Sequence, residues 1–128
     1  MGATAQDRLP SLAPSAERQP EGFQLEVRRR PRTTVIALSG ELDLIGAPKV
    51  EQAVADVAAS ESRGIVIDLG QLEFMDVSGL QAVLVSQRRA RAAGGRCAVV
   101  NANEQVSRLF RLTDTDHCLE SRHVKLVT

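Results

Sequence analysis

The sequence predicts an α/β domain: a mixed central sheet of about four to five strands, with three or four helices packed against it. Three observations lead there. Short β-branched apolar runs alternate with segments whose apolar residues recur every three or four positions. The 128 residues suit one domain, since domains commonly hold about 100–150. The apolar 43% of the chain is mostly Val, Leu, Ile and Ala, with three Phe and neither Trp nor Tyr, so a single aliphatic core has to serve.

Taken in order, residues 1–20 carry Pro10, Pro14 and Pro20 among Ser, Ala, Gln and charges. They show no helical or strand period and read as a disordered N-terminal tail, which leaves 21–128 as the folded domain. Phe23, Leu25 and Val27 alternate with polar residues, the mark of a half-buried strand. After the turn at Pro31, residues 33–38 are β-branched and apolar and form a second strand, paired with the first as a hairpin. Residues 40–43 read as a loop. Pro48 then opens a helix whose Val50, Val54 and Val57 share one face as far as about Ser60.

Residues 65–69 are short, apolar and β-branched, a central strand expected to be buried on both faces. Residues 70–75 read as a connection. Asp76-Val77-Ser78-Gly79 leads into a helix through Leu80, Val83, Leu84 and Gln87, which Gly94-Gly95 stops. Residues 97–100 make another short strand, and Val106, Leu109 and Phe110 mark a third helix ending near Thr113. Residues 117–119 read as a last edge strand, and the tail beyond is too short to define a helix. Parallel pairs in such a sheet require right-handed crossovers.

Composition excludes whole classes of function. Sixteen basic and 16 acidic residues cancel, so the broad positive field of a nucleic-acid binder is absent. Only Lys49 and Lys125 among the basic residues are lysines, and the cluster Arg28, Arg29, Arg30 and Arg32 is broken by Pro31, which suits a solvated turn. No apolar stretch approaches the roughly 20 residues of a membrane span, and the N-terminus lacks the apolar core of a signal peptide. A cytoplasmic protein with no membrane partner is expected. Cys97 and Cys118 sit among apolar residues without disulfide or metal spacing. They read as buried small hydrophobes, with a redox pair as the alternative.

Enzymatic constellations are missing. His117 and His123 have no nucleophile partner, and no Gly-rich phosphate loop occurs. Asp43, Asp68 and Asp76 could converge on Mg²⁺, but Asp68 lies within an apolar strand and Asp76 precedes a helix. No metal, no cofactor and no catalytic residue are therefore assigned. In α/β sheets ligands and partners favour the loops at the carboxyl ends of strands, which are here residues 40–43 and 70–79. Asp76 and Ser78 at the helix start suit capping of unpaired N–H groups. The same N–H groups and the helix dipole would also favour a phosphoryl group there.

Val66-Ile67-Asp68-Leu69, Leu72, Phe74-Met75-Asp76-x-Ser78-Gly79-Leu80, Gly94-Gly95, Val106 and Arg108-Leu109-Phe110, together with Gly40-Glu41-Leu42-Asp43, resemble a STAS domain of the anti-sigma factor antagonist type. The similarity runs over residues 23–119. It implies a STAS-type fold and a binding module, not an enzyme. The unphosphorylated form of such a protein binds an anti-sigma factor, often a serine kinase, and so frees a sigma factor for transcription. Carried over residue by residue, the partner-binding positions are Glu41, Asp43, Asp76, Val77, Ser78, Gly79 and Leu80, on a monomer or weak dimer.

This chain departs from the pattern at Val77, which fills the usual phosphoacceptor position, while Ser78 matches a second hydroxyl. One residue along a helix turns a side chain by about 100°, which misaligns Ser78 for a kinase aimed at position 77. Either Ser78 is the acceptor or control is independent of phosphorylation. Asp114 stands where many members carry Gly, and the C-terminus falls short of the family's last helix. The alternative functions are a STAS subunit of a transport or lipid-trafficking complex and, with less in its favour, a receiver-like phosphoacceptor using Asp68.

Overall fold

The computed structural model describes residues 22–60 and 64–120. The expected tail over residues 1–20, the closing residues 121–128 and His123 lie outside the described residues. Strands β1 (Phe23–Arg29), β2 (Thr33–Leu42), β3 (Gly64–Met75) and β4 (Arg96–Val100) form one sheet in that order. Helices α1 (Ala47–Ala59), α2 (Val77–Ala92) and α3 (Glu104–Leu112) connect or follow them. The β1–β2 pair is antiparallel and the other two pairs are parallel. The expected α/β class and mixed sheet are therefore those of the structure.

The hairpin closes through Arg30 N–H donating to Thr33 O at 2.9 Å, and its register places Leu25 opposite Leu38 and Val27 opposite Ile36. Pro48 stands in the first turn of α1, where its missing N–H costs nothing, and Val50, Val54 and Val57 are all buried. These residues join Ile36, Leu38, Ile65, Ile67, Leu69, Val83, Cys97, Val99, Val106 and Phe110 in one core cluster. All three helices contribute to it, so they cover the same face of the sheet.

That one-sided cover corrects the expectation for residues 65–69. The strand is central, between β2 and β4, but burial alternates: Ile65, Ile67 and Leu69 are buried while Val66 and Asp68 are half-buried. Asp68 lies on the face opposite the three described helices. Its Oδ1 accepts from Gly70 N–H at 2.9 Å and from Asn101 Nδ2 at 3.2 Å.

Residues 70–75 are also corrected, from connection to strand. They pair with the end of β2, Ser39 beside Gln71, Glu41 beside Phe74 and Leu42 beside Met75, so residues 40–42 belong to a strand too. Register shifts fall between Ala37 and Ser39 and between Gly40 and Glu41. Bulges of this kind place extra residues on one strand. The buried residues Leu69, Leu72 and Met75 thus recur every third position instead of every second, and a search for strict alternation fails there.

Past α2, Gly94 at φ +95° turns the chain, as its position in the sequence predicts. Asn103 caps α3, its Oδ1 accepting from Val106 N–H at 2.9 Å, while its Nδ2 donates to Leu72 O at 2.9 Å and ties the helix to β3. Asp114 adopts φ +59°, the left-handed region in which glycine is favoured and Asp is tolerated. The expected strand over residues 117–119 is a 3-10 turn, Asp116–Cys118, followed by a single bridge from Leu119 to Val99. Gln87 holds this turn in place by donating Nε2 to both Cys97 O and Cys118 O at 3.2 Å.

Asn103→Ala removes both the cap and the tie to β3, and is expected to cost about 1–2 kcal/mol. Equilibrium urea unfolding checks this as a lower midpoint at unchanged slope. Asn103→Asp keeps the acceptor and loses only the amide donor, so it should recover part of the loss.

Candidate docking site at the carboxyl-terminal pole of the sheet

The ends of β2 and β3 lie side by side, and the chain leaves them in two directions: residues 43–46 lead into α1, and Asp76 leads into α2. Leu42 O accepts from Asp76 N–H at 3.1 Å, so both departures start from one hydrogen-bonded junction. A Cβ on Gly79 would lie 2.6 Å from Leu42 O. Only glycine lets α2 approach β2 so closely. On the other side, Gly40 at φ +85° packs against the Gly22 carbonyl, where a Cβ would collide, and Glu41 N–H donates to the same oxygen.

The carboxylates here hold backbone before they meet anything else. Asp76 is the N-cap of α2: its Oδ1 accepts from Gly79 N–H at 2.9 Å, and its carbonyl accepts from Leu80 N–H at 2.9 Å. Asp43 shapes the turn into α1, its Oδ1 accepting from Ile45 N–H at 3.0 Å and its carbonyl from Ala47 N–H at 2.9 Å. Capping, the nearer of the two explanations for Asp76, is the one the geometry adopts. Each carboxylate keeps a second oxygen that these bonds do not use. Glu41 is exposed at the end of β2.

The structure sorts the expected partner-binding residues into two groups. Glu41, Asp43, Asp76, Val77 and Ser78 reach the surface at this pole, with Val77 54% exposed at the first position of α2 and Ser78 half-buried at the second. Gly79 and Leu80 do not. Both are buried, Leu80 at 2% exposure within the core cluster. Leu80 is corrected from a contact residue to a core residue, because α2 turns it toward the sheet. Gly79 is corrected to a spacer that sets the approach of helix to strand.

Sequence reasoning passed over the apolar residues that complete the surface. Leu44 is 69% exposed, Ile45 76% and Phe74 48%. Phe74 lies beside Glu41 in the sheet, and Leu44 and Ile45 follow Asp43 directly. Their signal was available: two large aliphatics in a four-residue link between a strand and a helix, where loops are usually polar. Val77 is a fourth exposed hydrophobe near the ends of β2 and β3, where Glu41, Asp43 and Asp76 also lie. A groove of about 510 Å³ is lined by Phe23, Glu41, Asp43, Ile45 and Lys49.

Among the described residues, no group of three or more His, Cys, Asp or Glu side chains is placed to hold a metal ion. Asp68 stands mid-strand, seven residues before β3 ends, and not at the pole. Cys97 is buried, and burial pushes its thiol up to about 11, which suppresses the thiolate that redox chemistry needs. His117 is exposed in the 3-10 turn. No helix among the described residues is long and apolar enough to cross a membrane. Exposed apolar surface ringed by charge fits protein docking.

The mixed sheet carries the three described helices on one face, with α2 opening beside the end of β2. The chain belongs to the STAS domain family: the family model described as "Mlab, STAS domain" matches residues 25–127. It is 37% identical over 95 residues to an anti-sigma F factor antagonist of Lysinibacillus sphaericus, covering 71% of this chain and 78% of that one. The crystal structure of an anti-sigma factor antagonist from Mycobacterium paratuberculosis matches with a TM-score of 0.70 at 28% identity, over 84% of this chain and 90% of that one. The anti-sigma factor antagonist SpoIIAA in its unphosphorylated form gives 0.64 at 28% identity, over 77% and 86%. The resemblance drawn from the motifs is thus confirmed at family level.

Two measurements test this geometry. Gly79→Ala forces its Cβ against Leu42 O and should cost about 1–3 kcal/mol, as overpacking does, seen as a lower urea midpoint. Cys97 should resist iodoacetamide in the native protein at pH 8, since its thiol stays protonated up to about pH 11, and should react fully once urea unfolds the chain. Intact mass and peptide mapping follow both states.

Proposed function

We propose that the protein is an anti-sigma factor antagonist whose pole at the start of α2 docks on an anti-sigma factor and so frees a sigma factor for transcription. It acts as a cytoplasmic binding module, not as an enzyme. The observation that carries this reading is the exposed Val77 at the head of α2, next to its N-cap Asp76, where α2 starts from the same junction as the segment carrying Asp43 and the exposed Ile45. The names of its relatives supply the partner class.

Apolar side chains at the centre of an interface contribute through desolvation, and charges at the rim steer and orient. Val77, Ile45 and Phe74 take the first role, and Glu41, Asp43 and Asp76 take the second, against cations on the partner. The partner is an anti-sigma factor with a serine-kinase domain. Valine cannot accept a phosphoryl group, so docking is not switched at position 77. Ser78, about 100° further round the helix and half-buried, is the only hydroxyl within reach of the pole's centre on α2's first turn.

Val77→Asp imitates a phosphorylated acceptor at the centre of this surface. It should weaken binding to the cognate anti-sigma factor about tenfold or more in calorimetry, the scale at which an interface residue counts as important. Unchanged affinity would remove Val77 from the interface. Incubated with the partner and ATP, the wild-type chain should gain no phosphoryl group by intact mass, whereas Val77→Ser should gain one. A wild-type product modified on Ser78 would overturn phosphorylation-independent control. Affinity purification from the host separates this function from a STAS subunit of a transport or lipid-trafficking complex by what is recovered, an anti-sigma factor or transport subunits.

A further inference from the structure

The outer surface between α1 and α2 holds a groove of about 300 Å³ at the C-terminal halves of both helices. Val54, Ala55, Ala58, Ala59, Ala90 and Ala93 line it, together with Ser86, Glu51 and Arg89. The volume lies at the lower end for small-molecule sites, about 300–1,000 Å³. Alanine at so many facing positions leaves space that two helices with larger side chains would fill.

Ser86 is the telling residue. It is buried at 2% exposure, and its Oγ is the one buried side-chain nitrogen or oxygen among the described residues without a hydrogen-bond partner. Ser107 within α3, and Ser60 and Thr113 at the C-caps of α1 and α3, bond back to carbonyls, to Ala102 O, Val57 O and Leu109 O. Burying an unpaired hydroxyl is unfavourable, and alanine, already used all around it, would avoid the loss. The rim carries one charge of each sign, with Arg89 Nη1 and Glu51 Oε1 3.5 Å apart. Paired in this way, the two charges leave the rim close to neutral, so the groove favours neither an anion nor a cation.

We propose that this groove binds a compact, predominantly apolar molecule bearing one hydroxyl group, of the alcohol or phenol class. Its body lies against Val54, Ala58, Ala90 and Ala93, and its hydroxyl pairs with Ser86 Oγ. A χ1 rotation of Ser86 turns the hydroxyl from its closed position toward the ligand. For a docking protein that lacks an acceptor hydroxyl at position 77, such a site supplies a chemical input of another kind. That consequence rests on the proposed function, whereas the binding does not.

Phenol and benzene, titrated separately into the isolated full chain and followed by NMR, make the test. Phenol should give saturable shifts at Val54, Ser86 and Ala90, with affinity about fivefold above benzene, the scale of one net hydrogen bond. In Ser86→Ala, phenol should fall to the level of benzene while the ligand-free protein melts higher. Ala55→Leu, at the exposed rim, should weaken both ligands alike. Val77→Asp should leave phenol binding unchanged, which separates this site from the docking pole. The absence of saturable shifts, equal phenol affinity in wild type and Ser86→Ala, or indifference to Ala55→Leu would each overturn the site.

Discussion

The carbonyl of Leu42 is where the two functional segments are joined. It accepts the Asp76 N–H that begins α2, and Gly79 rests against it at a distance no Cβ could tolerate. Leu42 itself is buried beside Met75 in the sheet. The residues just beyond, Asp43 on one side and Val77 on the other, are therefore held in a fixed relation by backbone. A docking surface gains from this, because side chains already ordered lose less entropy when a partner arrives. The cost is carried by the sequence: glycine at 79, glycine at 40 and a bulged register between them.

That same junction explains which parts of the molecule the sequence displayed and which it concealed. Val50, Val54 and Val57 on α1 show helical spacing because one face of a straight helix meets the core. Asp76 is legible as a cap because its chemistry acts within three residues. Residues 70–75 were concealed because the bulges move Leu69, Leu72 and Met75 to every third position, and strand recognition depends on a period of two. Leu80 shows the limit of motif reading. It stands within the motif next to surface residues, yet helix geometry turns it inward into the core cluster. Leu44 and Ile45 show the converse: exposed hydrophobes have no period to reveal them, and only burial in three dimensions distinguishes them from core.

Charge neutrality also takes on a definite meaning. Arg28 pairs with Glu26 at 2.9 Å, Arg111 with Glu104 at 2.7 Å and Arg89 with Glu51. Exposed pairs of this kind contribute little stability, but they leave Glu41, Asp43 and Asp76 as the carboxylates that edge the docking pole. The pole is locally acidic on a molecule with no net charge. A partner approaching with cations is then oriented by this patch, unopposed by a larger field elsewhere.

The residue at position 77 determines what sort of signal such a pole can receive. A phosphoryl group there would add about −1.5 to −2 charges directly beside Asp76 and near Asp43, inside a surface that otherwise docks through Val77, Ile45 and Phe74. Charge repulsion and desolvation would act together, which is why a hydroxyl at the head of α2 makes a sensitive switch. Valine enlarges the apolar centre and removes the site of modification in one step. Ser78 cannot simply inherit the part, since its place on the second position of α2 is half-buried and turned away from the axis along which Val77 projects. The described core leaves one buried hydroxyl unpaired, Ser86 Oγ, and it lies where α1 and α2 meet, the second of which presents Val77.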